Sequence, residues 1–192
     1  MPSFNNGKWT FDGINHAPGV VFVDGNLDVG NGTYTNTFIV TGNINVTTAG
    51  NGGVFSLNYA GFNGVTSNGI TAIGVCSNTH YTVKPTDFCQ GSTYKADALQ
   101  GIGNYALLAG SCPAAGCTIG QNGKITDYIG GDIKVEKSVF GVIKAGNYFT
   151  TGGSARIYGA ISSLAQRSAA QTHVFGASTE IHLLNPQVSD RS

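Results

Sequence analysis

Val23-Asp24-Gly25-Asn26-Leu27-Asp28-Val29 recurs seventeen residues later as Val40-Thr41-Gly42-Asn43-Ile44-Asn45-Val46, and again as Ile129-Gly130-Gly131-Asp132-Ile133-Lys134-Val135. Every second position is apolar or glycine, and the positions between mostly carry Asp, Asn, Thr or Lys. This is the period-2 pattern of strands with one buried face. The inward glycine of each copy falls where a flat strand would hold a side chain, so it marks a bend between two short strands. Self-similarity at about 20 residues indicates stacked rungs, each of which buries its apolar row only against the next.

Outward from the phrase, the chain divides into segments. Residues 1–19 hold the only tryptophan, in Lys8-Trp9-Thr10-Phe11, and end at the turn Ala17-Pro18-Gly19. They read as a cap, because an open coil end exposes unpaired backbone and apolar interior. Residues 20–60 are rungs, with Phe38 and Val40 continuing the inward row and Val54-Phe55-Ser56-Leu57 following Gly52-Gly53. Over 61–127 the phrase vanishes, and cysteines, a helix-compatible stretch from Tyr94 to Leu108 and several Gly and Asn turns take its place. That segment reads as an excursion from the coil. Rungs return over 128–184, where Ala155, Ile157, Gly159 and Ile161 are expected to face in and Arg156, Tyr158 and Ala160 out. Residues 164–170 suit a short helix or a loop, and 185–192 form a tail. The expected fold is all-β: a single-domain β-solenoid, a right-handed β-helix, with a disulfide-stapled excursion. A β-sandwich is the alternative, since copies seventeen residues apart also suit neighbouring strands.

Composition agrees. The 192 residues contain 29 glycines against five prolines, and the glycines are spread through alternating segments, as many tight turns require. Charged residues make up 10% and cancel, so the chain carries no electrostatic footprint for nucleic acid or an acidic membrane. Surface polarity must come from Asn, Thr and Ser, a balance more common on cell surfaces than in cytosol. No apolar run approaches the length of a membrane-crossing helix, and no stretch has the layout of a signal peptide. Export would therefore require a leader or anchor upstream of Met1.

Four cysteines, Cys76, Cys89, Cys112 and Cys117, all lie in the excursion. An even number in one irregular segment reads as two disulfides, and Cys76–Cys89 with Cys112–Cys117 is the economical pairing among three connectivities. Closing a loop of about a dozen residues is worth about 3 kcal/mol, enough to hold a segment with little core of its own. A four-cysteine zinc site needs close pairs that Cys76 and Cys89 do not form, and free buried thiols are the remaining alternative.

The opening Pro18-Gly19-Val20-Val21-Phe22-Val23-Asp24-Gly25-Asn26-Leu27, the run Phe140-Gly141-Val142-Ile143-Lys144-Ala145-Gly146-Asn147, then Ile157-Tyr158-Gly159-Ala160-Ile161 and Thr179-Glu180-Ile181-His182 together resemble one known group. They are similar to the soluble region of PilX-type proteins associated with bacterial type IV pilus assembly. The resemblance covers residues 18–46 and 129–183. It implies β-helix rungs, a bacterial surface, periplasmic or pilus location, and pilus or cell-surface proteins as partners. The N-terminal pilin-like helix of such proteins is absent from this sequence. Bactofilin-like polymerising β-helices share a similar rung but lack a cysteine-bearing excursion.

Other constellations carry less chemistry. Asp24, Asn26 and Asp28 have the 1-3-5 spacing of a calcium loop, but Val29 stands where that loop needs glycine. His16, His80, His173 and His182 are scattered, without ligand or triad spacing. Asp132, Lys134, Glu136, Lys137 and Lys144 form the only charged cluster of the kind a polysaccharide-active β-helix uses, yet alternating sign on one face suits a solvated edge. Thr33, Thr35 and Thr37, with Thr41 and Thr47 one rung on, alternate as an ice-binding face would. The function expected is a non-catalytic, secreted or pilus-associated structural and adhesive module, with no metal or cofactor. The alternatives are a polysaccharide-binding or polysaccharide-active β-helix protein and an ice-binding protein. Glycans are possible partners, nucleic acid is not, and a membrane enters only through a missing anchor. Partner contact is expected on the excursion, at Tyr81, Phe88, Tyr94 and Tyr105, because loops on a rigid scaffold carry recognition and tyrosine offers large amphipathic contact area.

Overall fold

The computed structural model describes residues 2–13, 16–47, 52–62, 66–67, 70–71, 74–77, 81–95, 101–119, 129–164 and 174–183, and the protein is mostly β. The strands fall into three parallel columns, which the chain visits in the same order on each circuit. β1 (Ser3–Asn5) turns back antiparallel onto β2 (Lys8–Phe11), which opens column one. β3 (Gly19–Val23) opens column three. On the second circuit β4 (Asn26–Val29) pairs with β2, and β5 (Thr33–Val40) serves two columns, residues 33–35 in column two and 36–40 beside β3 in column three. β6 (Ile44–Val46) and β7 (Gly53–Phe55) start the third.

The third circuit is then interrupted. α1 (Leu57–Phe62), the two-residue strands β8 (Thr66–Ser67) and β9 (Ile70–Thr71), the hairpin of β10 (Cys89–Gln90) and β11 (Thr93–Tyr94), and a 3-10 turn at Ile102–Asn104 intervene before β12 (Tyr105–Ala109) completes column three. The fourth circuit is β13 (Ile133–Val135), β14 (Ser138–Phe140) and β15 (Val142–Ala145), and the fifth is β16 (Phe149–Thr151), β17 (Arg156–Tyr158) and β18 (Ile161–Ser163). A bridge from Thr150 to Val174 and β19 (Glu180–His182) begin a sixth.

Register explains why the sheets curl around one core. Leu27, Ile44, Ile133 and Phe149 lie in line down column one, Val54, Val139 and Ile157 down column two, and Phe38, Leu107 and Ile143 down column three. All are at most 1% exposed and share a single cluster. A slip of one residue in any strand would turn its row outward, so each column fixes the others. Apart from β1–β2 and the two hairpins, every pairing of named strands is parallel, which is not how an antiparallel sandwich is built. Ala155 and Ile157 face in and Tyr158 faces out, as their alternation requires.

Three expectations need correction. Lys8–Phe11 is the first strand of column one rather than part of a cap: Trp9 and Phe11 alternate with Lys8 and Thr10 at the same period as the phrase, and only β1 lies across the end. The span 61–127 is not one excursion and Tyr94–Leu108 is not helical, because Tyr105–Ala109 is a strand. Its Ala and Leu favour helix locally, but Ala106 and Leu107 are buried between Phe38 and Ile143, and packing wins. The third copy of the phrase is also incomplete. Ala109, not Ile129, takes the place beside Val40, and Ile129 is instead 55% exposed and bridged antiparallel to Ser111. The helix or loop read over 164–170, beyond Leu164, and the tail over 185–192 lie outside the described residues.

The first interruption packs on the outer side of column two. Phe55, Phe140 and Tyr158 point away from the main core and meet Leu57, Val75 and Phe88 in a second apolar cluster. Their rings stack from circuit to circuit, at 4.2 Å for Phe55–Phe140 and 4.7 Å for Phe140–Tyr158, and His182 continues the stack at 4.7 Å. Cys76 and Cys89, joined with Sγ–Sγ 2.03 Å, lie within this cluster.

Candidate functional site

The repeated phrase builds the corner between columns three and one. Gly25 adopts φ +112°, and a Cβ on Gly42 would lie 2.6 Å from the Gly25 carbonyl oxygen, so only glycine lets successive circuits approach this closely. The residue after each glycine then ties one circuit to the next. Asn43 N–H donates to Asn26 Oδ1 at 2.9 Å, and Asp132 N–H donates to Asn43 Oδ1 at 2.9 Å. Asp132 Oδ1 in turn accepts from Tyr148 N–H at 3.2 Å and from Asn147 Nδ2 at 2.6 Å. One position earlier, Thr41 Oγ1 donates to Asp24 Oδ1 at 2.9 Å and accepts from Gly25 N–H at 2.8 Å.

A backbone N–H can only donate, so the side-chain atom facing it at Asn26 and Asn43 must be oxygen. Each amide nitrogen is thereby turned away from the ladder and has no hydrogen-bond partner among the described residues. Both asparagines are exposed. Parallel strands repeat at about 4.8 Å, which sets the scale of spacing between equivalent positions on successive circuits.

This corner is the floor of an open groove of about 700 Å³. Ser111, Cys112, Ala114, Ile129 and Gly130, between β12 and β13, supply its wall. Ser111 and Ile129 exchange backbone hydrogen bonds of 3.2 and 2.9 Å, and the Cys112–Cys117 disulfide closes the intervening turn, in which Gly116 N–H donates to the Pro113 carbonyl. Asp24, Asn26, Thr41, Asn43, Ser111 and Ile129 face the space, and among the described residues its lining contains one carboxylate and no Lys, Arg or His. Lys8 is drawn away to Asp28 at 2.6 Å on the outer face of column one.

The residues singled out from sequence are distributed differently. Both disulfides take the economical pairing. Of the proposed contact residues, Tyr81 and Phe88 are 8% and 2% exposed, Tyr94 packs against the second cluster with its hydroxyl on Asn58 Oδ1, and Tyr105 lies in β12. Tyr81 and Phe88 are thus enclosed, with Phe88 and Tyr94 packing the interruption against column two, while Tyr94 and Tyr105 remain half-buried. Burial raises the phenol pKa of Tyr59, Tyr81 and Tyr94, with Tyr158 nearby adding to it at Tyr59 and a hydrogen bond to Thr35 opposing it at Tyr81.

The other constellations do not converge. Thr35 and Thr37 are fully buried, and Thr37 Oγ1 donates to the Tyr105 carbonyl at 2.6 Å, so no flat threonine face forms there. Asp28 pairs with Lys8 while Asn26 holds Asn43, which separates the would-be calcium ligands. Lys134 pairs with Glu136, and Asp132 is absorbed by the corner ladder. His182 ends the aromatic stack and His16 lies tilted against Phe11 at 5.1 Å, while His80 and His173 lie outside the described residues. Sequence reasoning missed the groove itself. Its signal was present, an Asn or Asp after the glycine in all three copies, but alternation alone makes those residues mere outward polar positions. No family model matches the chain, and no curated protein or solved structure matches it either.

Proposed function

We propose that the chain is a right-handed β-solenoid serving as a non-catalytic structural and adhesive module outside the cytoplasm. The observation that carries this reading is the corner groove: fixed polar side chains on a rigid, uncharged-looking scaffold, walled by a disulfide-closed turn. Three parallel columns visited in constant order support the solenoid, and right-handed crossovers are the rule where parallel strands are joined. Two disulfides, and the lack of any helix among the described residues long and apolar enough to cross a membrane, are consistent with an extracellular or periplasmic protein. Attachment to a pilus rests on the PilX-like phrases alone.

Glycoside hydrolysis needs a pair of carboxylates, and Asp24 is the one carboxylate among the described lining residues, which favours binding over turnover. The test is made in the source organism with the gene deleted and restored. Loss of adhesion to surfaces or other cells on deletion, together with labelling of the protein by a membrane-impermeant reagent on intact cells, is the expected outcome. Unchanged adhesion, or a protein labelled only after lysis, would overturn the proposal.

A further inference from the structure

We propose that the corner groove binds a neutral polysaccharide chain running along the stack of circuits, with Asn26 and Asn43 donating to its oxygens and Asp24 accepting from its hydroxyls. This deepens the adhesive-module reading and rests on it. The two amides come from equivalent positions of successive circuits, and each is oriented by the same bond from its oxygen to the next circuit's backbone. They are therefore held before any ligand arrives, which lowers the ordering cost of binding. Ring and glycosidic oxygens of a polysaccharide only accept hydrogen bonds, so a repeated row of donors suits a repeated row of ether oxygens. Asp24 has one carboxylate oxygen anchored by Thr41, leaving acceptor capacity for hydroxyls. Ile129, 55% exposed, and the exposed Ala114 supply apolar surface for the C–H face of a sugar ring.

The same lining disfavours other ligands. An anionic chain would meet Asp24 with no cation among the described lining residues to offset it. A cationic peptide would find one carboxylate but also two amide donors, which have nothing to accept from an ammonium group. Nucleobases would find no aromatic ring among the described lining residues on which to stack.

The experiment is isothermal titration calorimetry of the full chain with a panel of neutral hexasaccharides of glucose, mannose and galactose, beside hexagalacturonate and hexalysine. The discriminating variant is Asn26→Asp with Asn43→Asp. It keeps an oxygen for each backbone N–H but replaces both donors with acceptors, and the third copy of the phrase already carries Asp132 in this role. Binding of a neutral hexasaccharide that weakens at least about tenfold in the double variant, with the thermal midpoint preserved, is expected. The proposal is overturned if no neutral hexasaccharide binds, if the double variant binds equally well, or if hexagalacturonate or hexalysine binds more tightly than every neutral member. Shortened products after prolonged incubation would instead refute the non-catalytic reading while leaving the binding site in place.

Discussion

Phe55 and Phe140 stack with ring centroids 4.2 Å apart and planes 3° from parallel. Aromatic pairs in proteins generally prefer offset or edge-on arrangements. Here the strand spacing dictates the geometry, because β7 and β14 are paired and place both rings on the same outer row. Phe140 also stacks on Tyr158, so it contacts a ring on either side as well as the interruption above it.

Phe140→Ala should therefore cost about 3–5 kcal/mol, near the upper range for a buried aromatic, since neither neighbour can move inward to fill the gap. Phe22→Ala is the control. Phe22 is 67% exposed on the outer side of column three, and its loss should stay within about 0.5 kcal/mol. Guanidinium denaturation of both variants measures the difference, and equal losses would show that the stack contributes nothing beyond exposed surface.

The corner makes a second pair of expectations. Gly42→Ala places a methyl group 2.6 Å from a backbone oxygen that cannot rotate away, and should cost about 1–3 kcal/mol. Asn43→Ala leaves the Asp132 N–H without its partner and should cost about 1 kcal/mol, less than in a core because the site is exposed. A Gly42→Ala protein as stable as the parent would mean that the circuits can separate at this corner.

Breaking the disulfides should have unequal effects. Cys76–Cys89 closes a separation of 13 residues and Cys112–Cys117 one of five, for which the chain-entropy relation gives about 3 and about 2 kcal/mol. Cys76→Ala with Cys89→Ala should loosen the segment over column two, seen as faster proteolysis between residues 57 and 104, while amides of columns one and three keep their exchange protection. Cys112→Ala with Cys117→Ala should leave that segment intact and mobilise only the groove wall.

Alkaline pH provides another check. Burial raises the phenol pKa of Tyr59, Tyr81 and Tyr94 above the ordinary value of 10.0, so the unfolded chain releases these protons first. The stability they contribute is complete below pH 10 and is lost as pH rises through the folded-state values. Phenolate absorbance should show a component titrating above the ordinary phenol value of 10.0, and Tyr94→Phe should shift the onset of alkaline unfolding upward. An onset unchanged in Tyr94→Phe would exclude that phenol as a cause.

Much of this architecture is legible in the sequence because alternation is a local property. Leu27, Val29, Ile44, Val46, Ile133 and Val135 declare their buried face without reference to any partner, and all six are inside. The bend at each glycine is equally local. What escapes is whatever depends on a neighbour distant in the chain. Tyr105–Ala109 looks helix-compatible until Phe38 and Ile143 are placed on either side. Tyr81 and Phe88 look available for contact until column two is found beneath them. The groove needs several separate segments, around residues 25, 42, 111–114 and 129–130, and the asparagine amides gain their orientation only from backbone donors one circuit away.

One segment interrupts the third circuit between β7 and β12 and another separates the third circuit from the fourth between β12 and β13, and their placement bears on how the molecule comes together. Bringing Asn43 to Asp132 closes a separation of 89 residues, whereas Asn26 to Asn43 closes one of 17. In the loop-closure relation the longer span costs about 1.5 kcal/mol more, before any ordering of the intervening segments. Residues 2–47 and 129–164 each contain mostly short-range pairings and are suited to early, independent collapse. β12 has partners in both, β5 in the first and β15 in the second. The halves also meet directly where β6 pairs with β13, and the docking of β12 adds the join in column three, so substitutions in Ala106 or Leu107 should slow folding more than equally destabilising changes inside either half.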